Sequence, residues 1–384
     1  MKRIGLCVSL CLYASITWSQ DDVFRRIQTA AIEANDGDTI HLPEGRFEFK
    51  RSLSIDDKKN IVLKGKGMDK TIISYKGQID GAEGFKINRC QNIILQDFTI
   101  QDAKGDCIKI LNTEKLHMKN LKAEWTGKPS AKNGAYALYP VSCNGVLIED
   151  CVAIGASDAG IYVGQSHDVT VRNCTAKYNV AGIEIENCVN AEVYNNTATD
   201  NSGGILVFDL PGLPLKHGRN VSVYNNKIIS NNYKNFAPKG NIVGEVPPGT
   251  GVMVMATDQV KIYGNEITDN RTASVSILSY YITERPYNDK EYTPLPNDVK
   301  VYENIITASK KGPSKQVRLG LLLWVKFGKH VPAILYDGIV DKKQTDENPN
   351  KICVYDNQGG SFSNLDAGNG FKGLSKDLEK FSCK

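Results

Sequence analysis

Histidine is scarce in this chain, five in 384 residues. His167 falls at a bend and His217 in a Pro/Gly-rich loop, neither with partners at metal-ligand spacing. No Ser-His-Asp order, P-loop or dinucleotide fingerprint occurs, so the sequence asks for no cofactor and no metal. Ten cysteines form no C-x-x-C pair, which argues against zinc and thioredoxin-like redox chemistry. Neither sign of charge is in excess. Lys and Arg number 47 against 43 Asp and Glu, a net charge of +4, which excludes a strong electrostatic case for nucleic acid. Past the N-terminal leader no apolar run is long enough to span a membrane.

The first residues do carry a leader pattern. Lys2-Arg3 is basic, Ile4 to Ile16 is mostly apolar, and Thr17-Trp18-Ser19 supplies small residues at cleavage spacing. Residues 1–19 are expected to be a secretory signal cut after Ser19, placing the chain in the periplasm or outside the cell. Eight cysteines remain, most at repeat positions such as Cys151 and Cys174. Those are expected as small buried residues in an internal ladder. Cys353 and Cys383 are the pair expected to form a bridge that pins the C-terminal tail.

The chain is rich in one repeated block, aliphatic-x-aliphatic-x-Asn/Asp, recurring about every 22–23 residues. It ends at Asp97, Asn120, Asp150, Asn173 and Asn195, and returns less evenly at Asn225, Gly264, Glu303 and Asp356. A period of this size marks a solenoid, and alternating apolar residues mark strands rather than helices. A second strand follows each turn, as in Ala159–Gly164, Ala181–Glu186, Gly203–Phe208 and Thr250–Met255. The coil is therefore strand, Asn/Asp bend, strand, bend. The expected fold is all-β, a right-handed parallel β-helix, with handedness from the crossover rule. Asp22 to Asn35 has helical spacing and is read as a short cap over the open N-terminal end. One domain is expected over 20–384: a cap over 20–60, regular coils over 61–306, and irregular coils and tail over 307–384. Insertions at Leu210–Arg219, Asn231–Gly249 and Tyr280–Pro296 interrupt the coils. Asn196, Asn226, Asn265, Asn304 and Asn357 recur at one place and are expected to bond from coil to coil.

Strand parity says which side chains leave the core. If Ile161, Val163, Ile183 and Ile185 point in, then Tyr139, Tyr162, Glu184, Glu186 and Phe208 share one outward face, expected to be exposed, with Gln165, Asp158 and Asp209 at its borders. Aromatic rings beside carboxylates suit sugar rings. Glu184 and Glu186, with Cα atoms roughly 6.6 Å apart, suit acid/base work on a glycosidic bond. Two outward Glu are also what any solvated strand carries, and Asp158 in Gly155-Ala156-Ser157-Asp158 is also ordinary bend chemistry. Either flanking insertion could cover the strip.

Two resemblances follow from these residues. Tyr136-Ala137-Leu138-Tyr139-Pro140-Val141, followed one coil later by Ser157-Asp158-Ala159-Gly160, resembles the active-site coils of secreted mannuronan epimerases. Those carry Tyr-Gly-Phe-Asp-Pro-His and a further Asp. Tyr136, Pro140 and Asp158 match, while Tyr139 and Val141 stand where that family has Asp and His. The resemblance implies uronate chemistry at Tyr136, Tyr139 and Asp158, with weak or absent action on mannuronan. The runs Ala156–Ser166, Ala181–Asn187 and Gly203–Pro211 resemble a bacterial family of exported parallel β-helix repeat proteins without a settled activity. Its gene context implies an exported c-type cytochrome as a partner.

Two functions are consistent with this sequence. One is recognition of an extracytoplasmic polysaccharide, with or without lyase, epimerase or hydrolase processing. Tyr136, Tyr139, Asp158, Glu184 and Glu186 would then be catalytic, and Tyr162, Gln165, Phe208 and Asp209 would bind substrate. The other is a non-catalytic periplasmic scaffold that docks a protein partner on the same strip, such as that cytochrome.

Overall fold

The computed structural model describes residues 20–341, 343–344 and 346–383. The leader expected over 1–19 lies outside the described residues. Parallel pairing runs through the described chain. One sheet of eleven strands carries the second strand of each coil, and the first strands and bends form the other walls.

Ile161, Ile183, Ile205, Val252 and Val275 stack coil on coil in one register, each fully buried. A single coil cannot shield such a row, so burial comes only from its neighbours. The bend ladder holds as expected. Asp97, Asn120, Asp150, Asn173 and Asn195 all have φ between 49° and 66°. Asn and Asp tolerate this left-handed conformation better than other residues with a Cβ.

The asparagine ladder is also present. Asn196 donates its backbone N–H and its Nδ2 to Asn226 Oδ1, at 2.9 and 3.0 Å. Asn226, Asn265 and Asn304 repeat the pattern toward Asn357. A second ladder, Asn179–Asn201–Asn231–Asn270, runs five residues further along each coil. Its signal was the same spacing repeated at a fixed offset. Outside, Tyr194, Tyr224, Tyr263, Tyr302 and Tyr355 form a face-to-face stack with centroids 4.8–5.1 Å apart. Cys90, Cys107, Cys143, Cys151, Cys174 and Cys188 are buried and unpaired, while Cys353 and Cys383 are bridged.

The ends are closed differently. Helix α1 (Gln20–Glu33) buries Val23, Ile27 and Ala31 on the first coils. Gln28 Nε2 donates to Ser54 O, and Ser54 N–H donates to Gln28 Oε1, at 2.9 and 3.0 Å. One side-chain amide thus occupies the free edge of strand Arg51–Asp56, which would otherwise invite pairing. Pairing begins at Thr39, whose strand lies on Lys59–Lys64. Near the other end, the aperiodic stretch from Ala308 to Asn350 contains helix α2 (Arg318–Phe327) and strand Ile334–Tyr336. Among the described residues no helix is long and apolar enough to cross a membrane.

The three insertions and α2 gather on the outer face of the eleven-stranded sheet. A second apolar cluster forms there, in which Tyr162, Leu206, Phe208, Met253 and Met255 meet Phe236, Val243, Tyr280 and Tyr292 from the insertions.

Candidate functional site

Three outward columns build the site. Lys86, Lys109, Tyr139, Tyr162, Glu184 and Leu206 follow one another along the first. Val141, Gly164, Glu186 and Phe208 form the second. Asp106, Tyr136 and Ala159 form the third, Asp106 following from the register of Ile108 with Leu138. The expected parity is correct, and Tyr139, Tyr162, Glu184 and Glu186 do share one face.

The expected exposure is not correct. Tyr162, Glu184, Glu186 and Asp158 are 4, 1, 8 and 5% exposed, and Phe208 and Asp209 1% each. The physical reason is the cover built from Asn231–Gly249 and its neighbours. Strand parity fixes the direction of a side chain but not what lies above it. Only Tyr136, Tyr139 and Gln165 remain half-buried.

Tyr136 stacks on Tyr139 with centroids 4.1 Å apart, and both rings meet Tyr162 at 4.8 and 5.0 Å. The Tyr162 hydroxyl donates to Glu186 Oε1 at 2.6 Å. Asn241, from the covering insertion, donates through Nδ2 to Asp158 Oδ2 at 2.9 Å. Glu184 Oε2 is buried without a hydrogen-bond partner. On the more open side Lys109 Nζ lies 5.3 Å from the Tyr139 ring centre and 3.4–3.5 Å from Glu83 and Asp106.

Burial dominates the proton affinities. It pushes Asp158 up to about 7, helped by the charge of Glu186 and opposed by hydrogen bonds from Asn241 and Tyr136. Burial likewise lifts Glu186 to about 7, against the Tyr162 hydrogen bond. Glu184, buried and facing the charges of Asp158 and Glu186, is held well above the carboxylate range. The three tyrosines rise for the same reasons, burial first and the nearby carboxylates after it. They stay protonated near neutrality, as donors rather than bases.

Gln165 and Asp209 stand apart from this group. Gln165 sits at a bend with φ 52°. Asp209 accepts from Gly218 N–H at 2.8 Å, and its carbonyl accepts from Tyr292 at 2.7 Å, so it ties two insertions to the coil. Asn241 was not legible in the sequence because it reaches Asp158 across 83 positions. Among the described residues no group of three or more His, Cys, Asp or Glu side chains converges to hold a metal ion.

Residues 24–211 match the family model of the right handed beta helix region. The chain is a right-handed parallel β-helix. The A-modules of the Azotobacter vinelandii mannuronan C-5 epimerases AlgE4 and AlgE6 superpose on this β-helix with TM-scores of 0.52 each. They are 15 and 17% identical to it, covering 88 and 89% of this chain and 90% of each module. At those identities the likeness is one of fold. A pre-neck appendage protein of Bacillus phage B103 is 24% identical over 263 residues, 58% of this chain. The chain spans only 29% of that relative's length.

Within the β-helix, Gly164 decides where Tyr162 points. A Cβ at position 164 would overlap the Tyr162 hydroxyl and ring, so the ring lies over the glycine on its way to Glu186. Gly164→Ala is expected to push Tyr162 off Glu186 and to cost about 1–3 kcal/mol as an overpacked site. Denaturant midpoints compared with Tyr162→Phe check this. Equal stability to wild type would show that the contact is not tight.

Proposed function

We propose that this protein is exported and binds an acidic polysaccharide on the outer face of its second-strand sheet, where the Tyr136–Tyr139–Tyr162 cluster and its carboxyls transfer protons. The observation that carries this is the pairing of Asp158 and Glu186, both buried against the tyrosines and each held near 7. Acids that interact this way share a proton near neutrality, leaving one carboxylate as base and one carboxylic acid as donor. Lys86 and Lys109, on the preceding coils, line the same strip, and a uronate carboxylate would compete with Glu83 and Asp106 for Lys109. Tyr136 and Tyr139 lie where a glycan would enter. Likeness of fold to mannuronan epimerases supports a saccharide ligand.

The roles follow from proton affinity. In lyase or epimerase chemistry the ionised member of the Asp158–Glu186 pair takes the proton beside the uronate carboxyl and the protonated member donates, with Tyr136 and Tyr162 as hydrogen-bond donors. In hydrolysis Glu186 as base would act with neutral Glu184 as acid, but Glu184, 1% exposed and with Oε2 fully buried, lies deeper than Asp158 and Glu186. Uronate chemistry is therefore the stronger reading. Substrate must displace Asn241 from Asp158 to reach the pair. Gln165, Phe208 and Asp209 would border the bound chain.

The test is a screen of purified mature protein against pectate, alginate and glycosaminoglycans, reading binding, new unsaturation and sugar configuration. Binding and turnover are expected, with Glu186→Gln reducing turnover by roughly 100-fold or more, the usual weight of a general acid or base. Failure to bind any glycan, with an exported cytochrome co-purifying, would replace this reading with that of a docking scaffold.

A further inference from the structure

Past the acid cluster the same sheet face runs into a cavity of about 640 Å³. Phe208, Met255 and Leu278, outward residues of three successive coils, form its floor with Met253. The turn Ile242–Glu245 and helix α2, through Leu319 and Leu322, form its roof. Its size falls in the range of small-molecule sites, roughly 300–1,000 Å³.

Its chemistry is one-sided. The charged side chains on the wall are already paired at the mouth, Arg318 with Glu284 and Glu245 with Arg285. The Thr283 hydroxyl donates to Tyr280 O at 2.8 Å. Among the described residues, the buried side-chain oxygens without a partner are on Tyr75, Gln101, Glu184 and Ser202, none of which lines the cavity. The side chains of its floor and roof are apolar, so a polar group entering would find partners only on the backbone and at the mouth. Tyr281, Leu321 and Val325 carry the apolar wall out to solvent, 48, 47 and 71% exposed. Isolated exposed apolar residues are ordinary, but these are continuous with a concave apolar wall.

The cavity is also long. From Phe208 to Ile339, just past strand Ile334–Tyr336, the wall crosses four coils, roughly 14 Å at ~4.8 Å per coil. At ~30 Å³ for each water-sized group it has room for roughly twenty non-hydrogen atoms.

We propose that this cavity binds the hydrocarbon chain of a single-chain amphiphile, with the polar head in water at the Arg318–Glu284 mouth. The site uses none of the acid-cluster residues and does not depend on the saccharide reading.

The test is calorimetric titration of the mature protein with hexadecanoate below its aggregation concentration. Saturable one-to-one binding is expected. Leu322→Glu and Met255→Trp, which charge and fill the cavity, should each weaken it by roughly tenfold or more. Val325→Glu, at an exposed position, should weaken binding with the circular dichroism spectrum unchanged. Ile79→Glu, as exposed as Val325 but on the first coils and outside the cavity lining, should leave the affinity within about twofold. No saturable binding, or equal affinity in wild type and Val325→Glu, would overturn the proposal.

Discussion

Asn226→Ala is expected to lower the unfolding free energy by about 3–5 kcal/mol, since each orphaned buried polar group costs about 1–3 kcal/mol. Asn226 Oδ1 accepts from the backbone and side chain of Asn196. Its Nδ2 donates to Val193 O and to Asn265 Oδ1, both at 2.9 Å. Alanine removes every one of these contacts at a site 1% exposed, where water cannot easily substitute. Its neighbours are themselves rungs of the ladder, so loss at one coil loosens two others. Guanidinium denaturation would measure the loss, and hydrogen exchange would show whether the Asn196 amide is freed first. A change below ~1 kcal/mol would mean that water replaces the amide and that the ladder is ornamental.

Stability should fall as pH rises from about 4 to about 8. Asp158 and Glu186 are moved from ordinary values of 3.8 and 4.5 to about 7, mainly by burial. Between those values the folded chain holds protons that the unfolded chain has released. The stabilisation is complete below pH 4 and is lost as pH climbs through 7. Asp209, held near 7, and Asp337, near 6, act in the same direction. Glu149 acts in the opposite direction. It is held near 2 by Arg172, Lys119 and His117 against its own burial, and its effect is confined to acid. At 1.36 kcal/mol per unit, the Asp158–Glu186 pair alone accounts for a decline on the order of 8 kcal/mol. Glu186→Gln keeps an acceptor for the Tyr162 hydroxyl but cannot ionise. It should be more stable than wild type at about pH 8 and should flatten the decline. Wild-type midpoints that stay level or rise across this range would show that the cluster is solvated.

The coil period, the strand parity and both sides of each bend were legible because they are local. Asn or Asp is favoured where φ turns positive at a bend, as at Asn120 and Asn173, and an aliphatic residue is favoured where a strand side chain enters the core. Stacking multiplies each requirement, so it recurs at a fixed interval. The pairing of Cys353 with Cys383 was legible as the join between tail and last coil. Helix α2 was not, because Arg318–Phe327 has no repeat and no capping side chain at Val317.

By itself, then, the sequence determined a parallel β-helix whose Tyr139, Tyr162, Glu184 and Glu186 leave the core on one sheet. Only the tertiary structure decided that these residues face a cover rather than solvent. The cover comes from insertions with no period, such as the one bringing Asn241 to Asp158. Burial beneath it gives Asp158 and Glu186 their raised proton affinities, and the gap under α2 becomes an apolar cavity. Alternation along a strand sets direction, whereas burial depends on what the rest of the chain lays over that direction.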